Sequence, residues 1–287
     1  MPERLLLCTD LDRTLLPNGA QPESPGARER FAVLAADPRV NLAYVSGRHR
    51  ELVEEALRDY QLPIPDFVIG DVGTTLYHVG QDELWQEDAQ WQAHIDVDWI
   101  GRSHSDLQRA LGDIDIGGLR PQEERKQNQH KLSYYHDLDC DRQRLDRLLK
   151  DRLAQQQVRA RLVWSVDEPA GLGLLDILPQ CASKYHAVAM LQSLQGFANH
   201  DTVFSGDSGN DMEILASPVP SVLVANSEAD VQAHARRLVS ASGRDHTLYI
   251  AQGNFYGMNG NYSAGILEGI VHYHPQTAAW MALEHIA

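Results

Sequence analysis

Short, continuous apolar runs rich in Leu, Val and Ile alternate along the first 80 residues with segments whose apolar positions recur at helical spacing. The runs carry no polar residue at every second position, so they predict strands buried on both faces. Leu5–Thr9, Asn41–Val45, Phe67–Ile69 and Thr75–Val79 are the expected strands, and 26–36 and Arg50–Asp59 the expected helices. The same cadence returns after residue 180. There the expected elements are helix Lys184–Leu194, strand Thr202–Ser205, helix Asp211–Ala216, strand Val222–Ala225, helix Glu228–Leu238, strand Thr247–Ala251 and helix Ser263–His272. Strand and helix in alternation predict a mostly parallel sheet flanked by helices.

Between these two stretches the pattern changes. Three tryptophans (Trp85, Trp91, Trp99) are followed by a helix near 105–111, a strand at Lys131–His136, a strongly charged helix at Arg142–Gln156 and strands at Arg161–Val166 and Leu172–Leu178. The expected fold is therefore α/β: a Rossmann-like parallel-sheet core domain in two parts, 1–80 and 181–287, with a smaller α/β cap domain, 81–180, inserted between them. Asp137, Asp139 and Asp141 imitate a calcium loop. Arg142 stands where such a loop needs Gly and Leu148 where it needs Glu, so the three are expected to form a polar turn capping the next helix.

Composition narrows the classes. The 287 residues carry 40 acidic and 25 basic side chains, a formal charge of −15, which argues against a nucleic-acid partner, since phosphate backbones need a basic footprint. No apolar run reaches the length of a membrane span. The N-terminal apolar run, ended by Asp10, reads as a first strand and not as an export signal. Cys8, Cys140 and Cys181 lie far apart without a CxxC pair, which fits thiols of a reducing, cytoplasmic compartment better than disulfides or a zinc site.

The chemistry is concentrated where strands end. Asp10 and Asp12 follow the first strand, and in open α/β sheets the carboxyl ends of strands line the working crevice. A carboxylate there can attack phosphorus, and a second one two residues on can exchange a proton with the leaving oxygen. Ser46-Gly47-Arg48 follows the second strand and offers a hydroxyl and a backbone turn to a phosphoryl oxygen. Lys184 opens the helix after the strand that ends at Pro179. Gly206-Asp207-Ser208-Gly209-Asn210-Asp211 follows another strand; its glycines permit a tight turn, and Asp207 and Asp211 supply hard oxygens suited to Mg2+. Each element alone is also what a turn or helix cap uses; the set of four, in this order, points to phosphoryl transfer.

This set resembles the haloacid dehalogenase-like phosphohydrolases over the whole chain. The resemblance implies Asp10 as nucleophile, Asp12 as general acid/base, and Ser46 and Lys184 as holders of the transferring phosphoryl group, with Lys184 also steadying Asp10. It implies Mg2+ bound by Asp10, the Asp12 carbonyl and Asp207, with Asp211 binding or orienting the metal shell. An aspartyl-phosphate on Asp10 is the implied intermediate. Phosphate monoesters hydrolyse so slowly that up to ~10²¹-fold acceleration is needed, and clustered carboxylates cannot meet a dianionic phosphate without a cation.

Within that superfamily, His130–Tyr135, Ser183-Lys184, Gly206–Asp211 and Asn261–Glu268 resemble the sucrose-6-phosphate phosphatases, and Gly70–Thr74 corresponds to their hinge-side loop. The implied substrate is a sugar phosphate, sucrose 6-phosphate first, contacted by Ser46, Gly47, Arg48, Lys131, Asp176, Lys184 and Asn210. One departure stands out. The strand 171–179 that carries sugar-contacting polar residues in the family retains only Asp176 here. Other disaccharide phosphates, a phosphosugar mutase, and a sugar-phosphate-sensing module docking a sugar-phosphate synthase are the alternatives. The tryptophans are expected in packing rather than stacked on a sugar.

Overall fold

In the computed structural model, which describes residues 4–80, 83–112, 116–167 and 170–281, the chain forms two compact units. One takes the chain up to Glu87 and again from Lys184; the other is Asp88–Ser183. The strands of the first unit's N-terminal part are β1 (Leu5–Thr9), β2 (Val40–Val45), β3 (Phe67–Gly70), β4 (Thr75–Val79) and β5 (Trp85–Glu87). Strands β6 (Leu119–Pro121), β7 (Leu132–His136), β8 (Ala160–Asp167) and β9 (Leu172–Pro179) belong to the second unit. Strands β10 (Thr202–Gly206), β11 (Ser221–Leu223) and β12 (Leu248–Ile250) return to the first.

The larger unit has an eight-stranded sheet in the order β12-β11-β10-β1-β2-β3-β4-β5. It is parallel from β12 through β3, while β4 and β5 run antiparallel. Helices α1 (Ala27–Ala35) and α2 (Arg50–Asp59) connect its first strands. Of the buried side chains, Phe31 and Leu34 of α1 join Leu5, Leu7, Leu42 and Tyr44 of the sheet in one apolar core. Each such side chain contributes roughly 1.5–3 kcal/mol on burial. Register is what places the chemistry: Thr9 pairs with Tyr44 on one side and Ser205 on the other. The residues just beyond, Asp10, Val45-Ser46 and Gly206-Asp207, therefore leave the sheet side by side at its carboxyl edge.

The smaller unit is a four-stranded antiparallel sheet, β6-β7-β9-β8, with helices α3 (Ala89–Trp99), α4 (His104–Leu111) and α5 (Arg142–Gln155). Leu107, Leu111, Leu149 and Leu153 pack with Leu132, Tyr134, Leu175 and Ile177. Asp141 caps α5 by accepting from the Arg144 N–H at 2.9 Å, the role expected for the acidic turn. Trp91 and Trp99 are fully buried.

Elements β5, α3 and β6 were not expected from the pattern. The chain passes between the units at 87/88 and 183/184 and not at 80/81 and 180/181; residue 81 itself lies outside the described residues. The reason at the first crossing is pairing: β5 lies antiparallel to β4, so Trp85 belongs to the larger sheet. The larger unit's remaining helices are α6 (Lys184–Gln195), α7 (Met212–Leu215), α8 (Ala229–Ala241) and α9 (Ser263–Tyr273). A 3-10 turn over Gly209–Asp211 precedes α7, so that helix begins one residue later than expected.

Candidate active site

Asp10, the first residue past β1, is buried, and its backbone N–H continues the ladder by donating to the Ser205 carbonyl at 2.9 Å. Its carboxylate accepts from the Leu11 N–H at 2.8 Å through Oδ1 and meets the Lys184 ammonium at 3.0 Å through Oδ2. Lys184, the first residue of α6, is itself buried and reaches Asp211 Oδ1 at 2.7 Å and Asn210 Oδ1 at 3.2 Å. Asp10, Asp207 and Asp211 each present an oxygen within 4.8 Å of the others, the metal-compatible group found among the described residues.

The motif loop after β10 is built around Asp211. Its Oδ2 accepts the backbone N–H groups of Asp207 at 3.2 Å and Ser208 at 3.3 Å. The carboxylate lies so close to the loop that a Cβ on Gly206 would sit 2.5 Å from Oδ2, which is why that position is glycine. Gly209, in contrast, has open space around it and no such requirement. Asp207 accepts from the Thr14 hydroxyl at 3.1 Å, and the Arg13 Nε stands 3.5 Å from its other oxygen.

Too many negative charges share this space for the available cations. Burial, with Asp211 adding to it against the pull of Arg13, pushes the Asp207 carboxyl up to about 7. Burial also holds the Asp10 carboxyl well above the ordinary carboxylate range; Lys184 opposes this, and Asp211 and Asp207 reinforce it. Lys184 responds in the complementary sense. Burial disfavours its charge, but Asp10 and Asp211 outweigh burial and raise the ammonium pKa.

Asp12 differs from its neighbour. It is half-exposed, and burial alone would raise its carboxyl, yet the Arg48 guanidinium and the Asn18 amide hold it below its ordinary value. Arg48 grips it through two of its three guanidinium nitrogens, Nε to Oδ2 at 2.8 Å and Nη2 to Oδ1 at 2.6 Å. Arg48, expected among the substrate contacts, thus has its guanidinium on Asp12. Ser46 is buried, and its Oγ accepts from the Arg48 N–H at 3.2 Å. The turn 46–48 is locked by the 70–74 loop: the Val72 N–H donates to the Ser46 carbonyl and the Asp71 N–H to that of Arg48. Asp71 and Val72 take left-handed φ values of 51° and 60° to do so, at roughly 1–3 kcal/mol each.

A family model for sucrose-6F-phosphate phosphohydrolase matches residues 3–274. The chain belongs to that family. Mannosylfructose-phosphate phosphatase of Agrobacterium fabrum is 31% identical over 270 residues, covering 93% of this chain and 96% of the relative. A protein of Nitrosococcus oceani assigned to the HAD-like hydrolases is 49% identical over 281 residues, 98% of this chain and 75% of that one. Sucrose-phosphatase 1 of Nicotiana tabacum is 28% identical over 94% of this chain, which spans 59% of the tobacco protein's length. The solved sucrose-phosphatase of a Synechocystis species, in complex with sucrose and phosphate, shares the fold with a TM-score of 0.71 at 24% identity, over 95% of this chain and 98% of that one. As a member of its family this protein is a sugar-phosphate phosphatase of the haloacid dehalogenase-like superfamily.

The structure brings Asp10, Asp12, Ser46, Gly47, Arg48, Lys184, Asp207, Asn210 and Asp211 to one edge of the larger unit. Lys131 and Asp176 belong to the smaller unit of this sucrose-6F-phosphate phosphohydrolase-family chain, where β7 pairs Ser133 with Asp176 and the Ser133 hydroxyl donates to the carboxylate at 2.5 Å. Sequence reasoning missed the roles of Arg13, Thr14 and Asn18 and, within the hinge-side loop 70–74 it had marked, the left-handed backbone of Asp71 and Val72. Thr14 had a signal, a hydroxyl two residues past Asp12. No helix among the described residues is long and apolar enough to cross a membrane.

Proposed function

We propose that the protein hydrolyses a disaccharide phosphate at this strand-end cluster, with sucrose 6-phosphate as the leading substrate. The observation that carries the reading is the buried Asp10 carboxylate, held at both oxygens by the Leu11 N–H and by Lys184. An Asp10 oxygen bonds to phosphorus while the bond from phosphorus to the sugar oxygen breaks, and Asp12 gives that oxygen a proton. Water then attacks the aspartyl-phosphate, Asp12 takes its proton, and Asp10 and inorganic phosphate are restored. Ser46, Gly47, Lys184 and Asn210 hold the phosphoryl oxygens. Arg48 favours Asp12 as carboxylate, the form that serves the second step.

The donor set fits Mg2+: hard oxygens only, on three buried carboxylates that outnumber the one buried ammonium beside them. Asp10, Asp207 and the Asp12 carbonyl would hold the ion, while Asp211, with both oxygens engaged, would orient the loop. When bound, the ion supplies the positive charge that lets a dianionic phosphate approach these carboxylates.

The substrate class is supported by relatives named for sucrose phosphate and mannosylfructose phosphate. Lys131 and Asp176 of the smaller unit are the candidates for contact with the sugar. A stretch of 277 residues that is 30% identical to 31% of the glucosylglycerol-phosphate synthase of Pseudomonas anguilliseptica supports a synthase as the upstream partner. Three free cysteines support a cytoplasmic setting. Phosphate release from sucrose 6-phosphate, other disaccharide phosphates and hexose phosphates, with Mg2+ and with chelator, tests the reading. Preference for a disaccharide phosphate, abolished by chelator, is expected; equal or better turnover of hexose phosphates overturns the substrate.

A further inference from the structure

We infer that Asn18 is a positioning residue for the acid/base step: with Arg48 it fixes the Asp12 carboxylate so that Oδ2 is the oxygen that exchanges the proton. The inference deepens the acid/base reading of Asp12 and rests on it. Asp12 lies on the turn after β1, and its side chain is 43% exposed, so packing does not determine its rotamer. Hydrogen bonds do. The Asn18 amide donates to Oδ1 at 2.7 Å, and Arg48 donates to the same oxygen at 2.6 Å and to Oδ2 at 2.8 Å. A carboxylate oxygen has two lone pairs. Both on Oδ1 are taken, and one on Oδ2 is left to receive and release a proton.

Asn18 is held in turn from both sides. Its own oxygen accepts the Arg13 N–H at 2.8 Å, where Arg13 adopts φ 58°, and the Arg13 carbonyl accepts the Asn226 amide at 2.6 Å. The loop that follows is tied down by the C-terminal segment of the chain. Tyr262 donates its hydroxyl to the Gln21 carbonyl at 3.0 Å, and Asn261 and Asn259 donate their amides to the Pro22 carbonyl at 3.0 and 2.9 Å. A segment some 240 positions downstream therefore anchors the loop that leaves Asn18. The precision matters, because a shift of about 1 Å in a reacting group can cost about 10²-fold in rate.

The test exploits leaving groups. A sugar alkoxide needs a proton to depart, whereas 2,4-dinitrophenolate does not. Loss of Asp12 positioning should thus slow the first and spare the second. Single-turnover leaving-group release is measured with Mg2+ on the full chain for Asn18→Ala and Asn18→Asp. The aspartate keeps an acceptor for the Arg13 N–H but cannot donate to Asp12. Expected for both is a fall of about 10- to 100-fold on sucrose 6-phosphate, within the range of general acid catalysis, with KM and the rate on 2,4-dinitrophenyl phosphate changed less than about threefold. Tyr262→Phe should show the same selectivity at a few-fold. Equal slowing of both esters, no slowing, or an Asn18→Asp enzyme with wild-type rates overturns the inference. Asp12→Ala separates the two levels: if it slows both esters equally, the acid/base reading fails and the inference with it. If it is selective and the Asn18 variants are not, the inference alone fails.

Discussion

Both units bury carboxylates, and they treat them in opposite ways. In the larger unit Asp10, Asp207 and Asp211 crowd together against Lys184, so acid exceeds base and the Asp10 and Asp207 carboxyls are pushed up. In the smaller unit Asp98 is 1% exposed, yet it pairs with Arg159 and accepts the Cys181 N–H at 2.7 Å. Asp96, itself 39% exposed, meets the buried His130 at 2.8 Å, with Gln92 on the ring's other nitrogen. A buried carboxylate with its own cation and donors joins elements of the fold. A surplus of them at strand ends is kept for a ligand, because burial without neutralisation costs several kcal/mol per ion unless something else supplies the charge.

The largest break in that comparison is Asp10→Asn. Turnover should fall by at least about 10⁴-fold, since the nucleophile of the covalent step is gone, while the thermal midpoint holds or rises because one uncompensated charge is removed. A phosphate-release assay beside a melting curve checks both. An active Asp10→Asn enzyme would refute the nucleophile.

The second concerns pH in the metal-free protein. Asp207 has its folded pKa raised to about 7 from 3.8, so between those values the folded state keeps a proton that the unfolded chain has lost. Stability should therefore decline as pH rises from about 4 to about 7 and level off above it. Asp10 is shifted in the same direction. Mg2+ needs the ionised carboxylates, so the rise in melting temperature on adding Mg2+ should grow over the same window. Differential scanning calorimetry with and without chelator reads this; metal-free stability that increases through that range would contradict the surplus of charge.

The site was legible where strand register does the assembling. Asp10, Ser46 and Asp207 need only their strands to be paired, and parallel strands ending in register put them side by side. What stayed hidden depends on contacts between distant segments. Asn18 sits in a polar loop, and nothing near it in sequence says that Tyr262 and Asn261 will fasten that loop. Helix α3 has Trp91, Ile95 and Trp99 at helical spacing, but its buried face also carries Asp98 while Val97 faces out at 65% exposure, which blurs the apolar stripe. Asp71 and Val72 gave no sign of left-handed backbone, since neither is glycine or asparagine. Gly209 looked like a second required glycine, and only the observed space around it separates it from Gly206.

The smallest expected effect sharpens the other half of the comparison. If Asp98 is a fold-joining carboxylate, Asp98→Ala should destabilise the protein by about 1–3 kcal/mol, the usual cost of stranding a buried donor, because the Cys181 N–H loses its acceptor. Arg159, 69% exposed, can turn to water and adds little. Turnover per folded molecule should stay within about twofold, as Asp98 touches none of the strand-end groups. A second readout comes from Cys181, whose thiol is pushed up to about 12 by burial first and then by its hydrogen bond to Asp98 and that carboxylate's charge. Removing Asp98 takes away the second and third of these causes, so the thiol pKa should drop part of the way and alkylation at pH 8 should quicken. Unchanged stability together with a fall in turnover would instead place Asp98 in the working of the site, and the contrast between surplus and satisfied carboxylates would not hold.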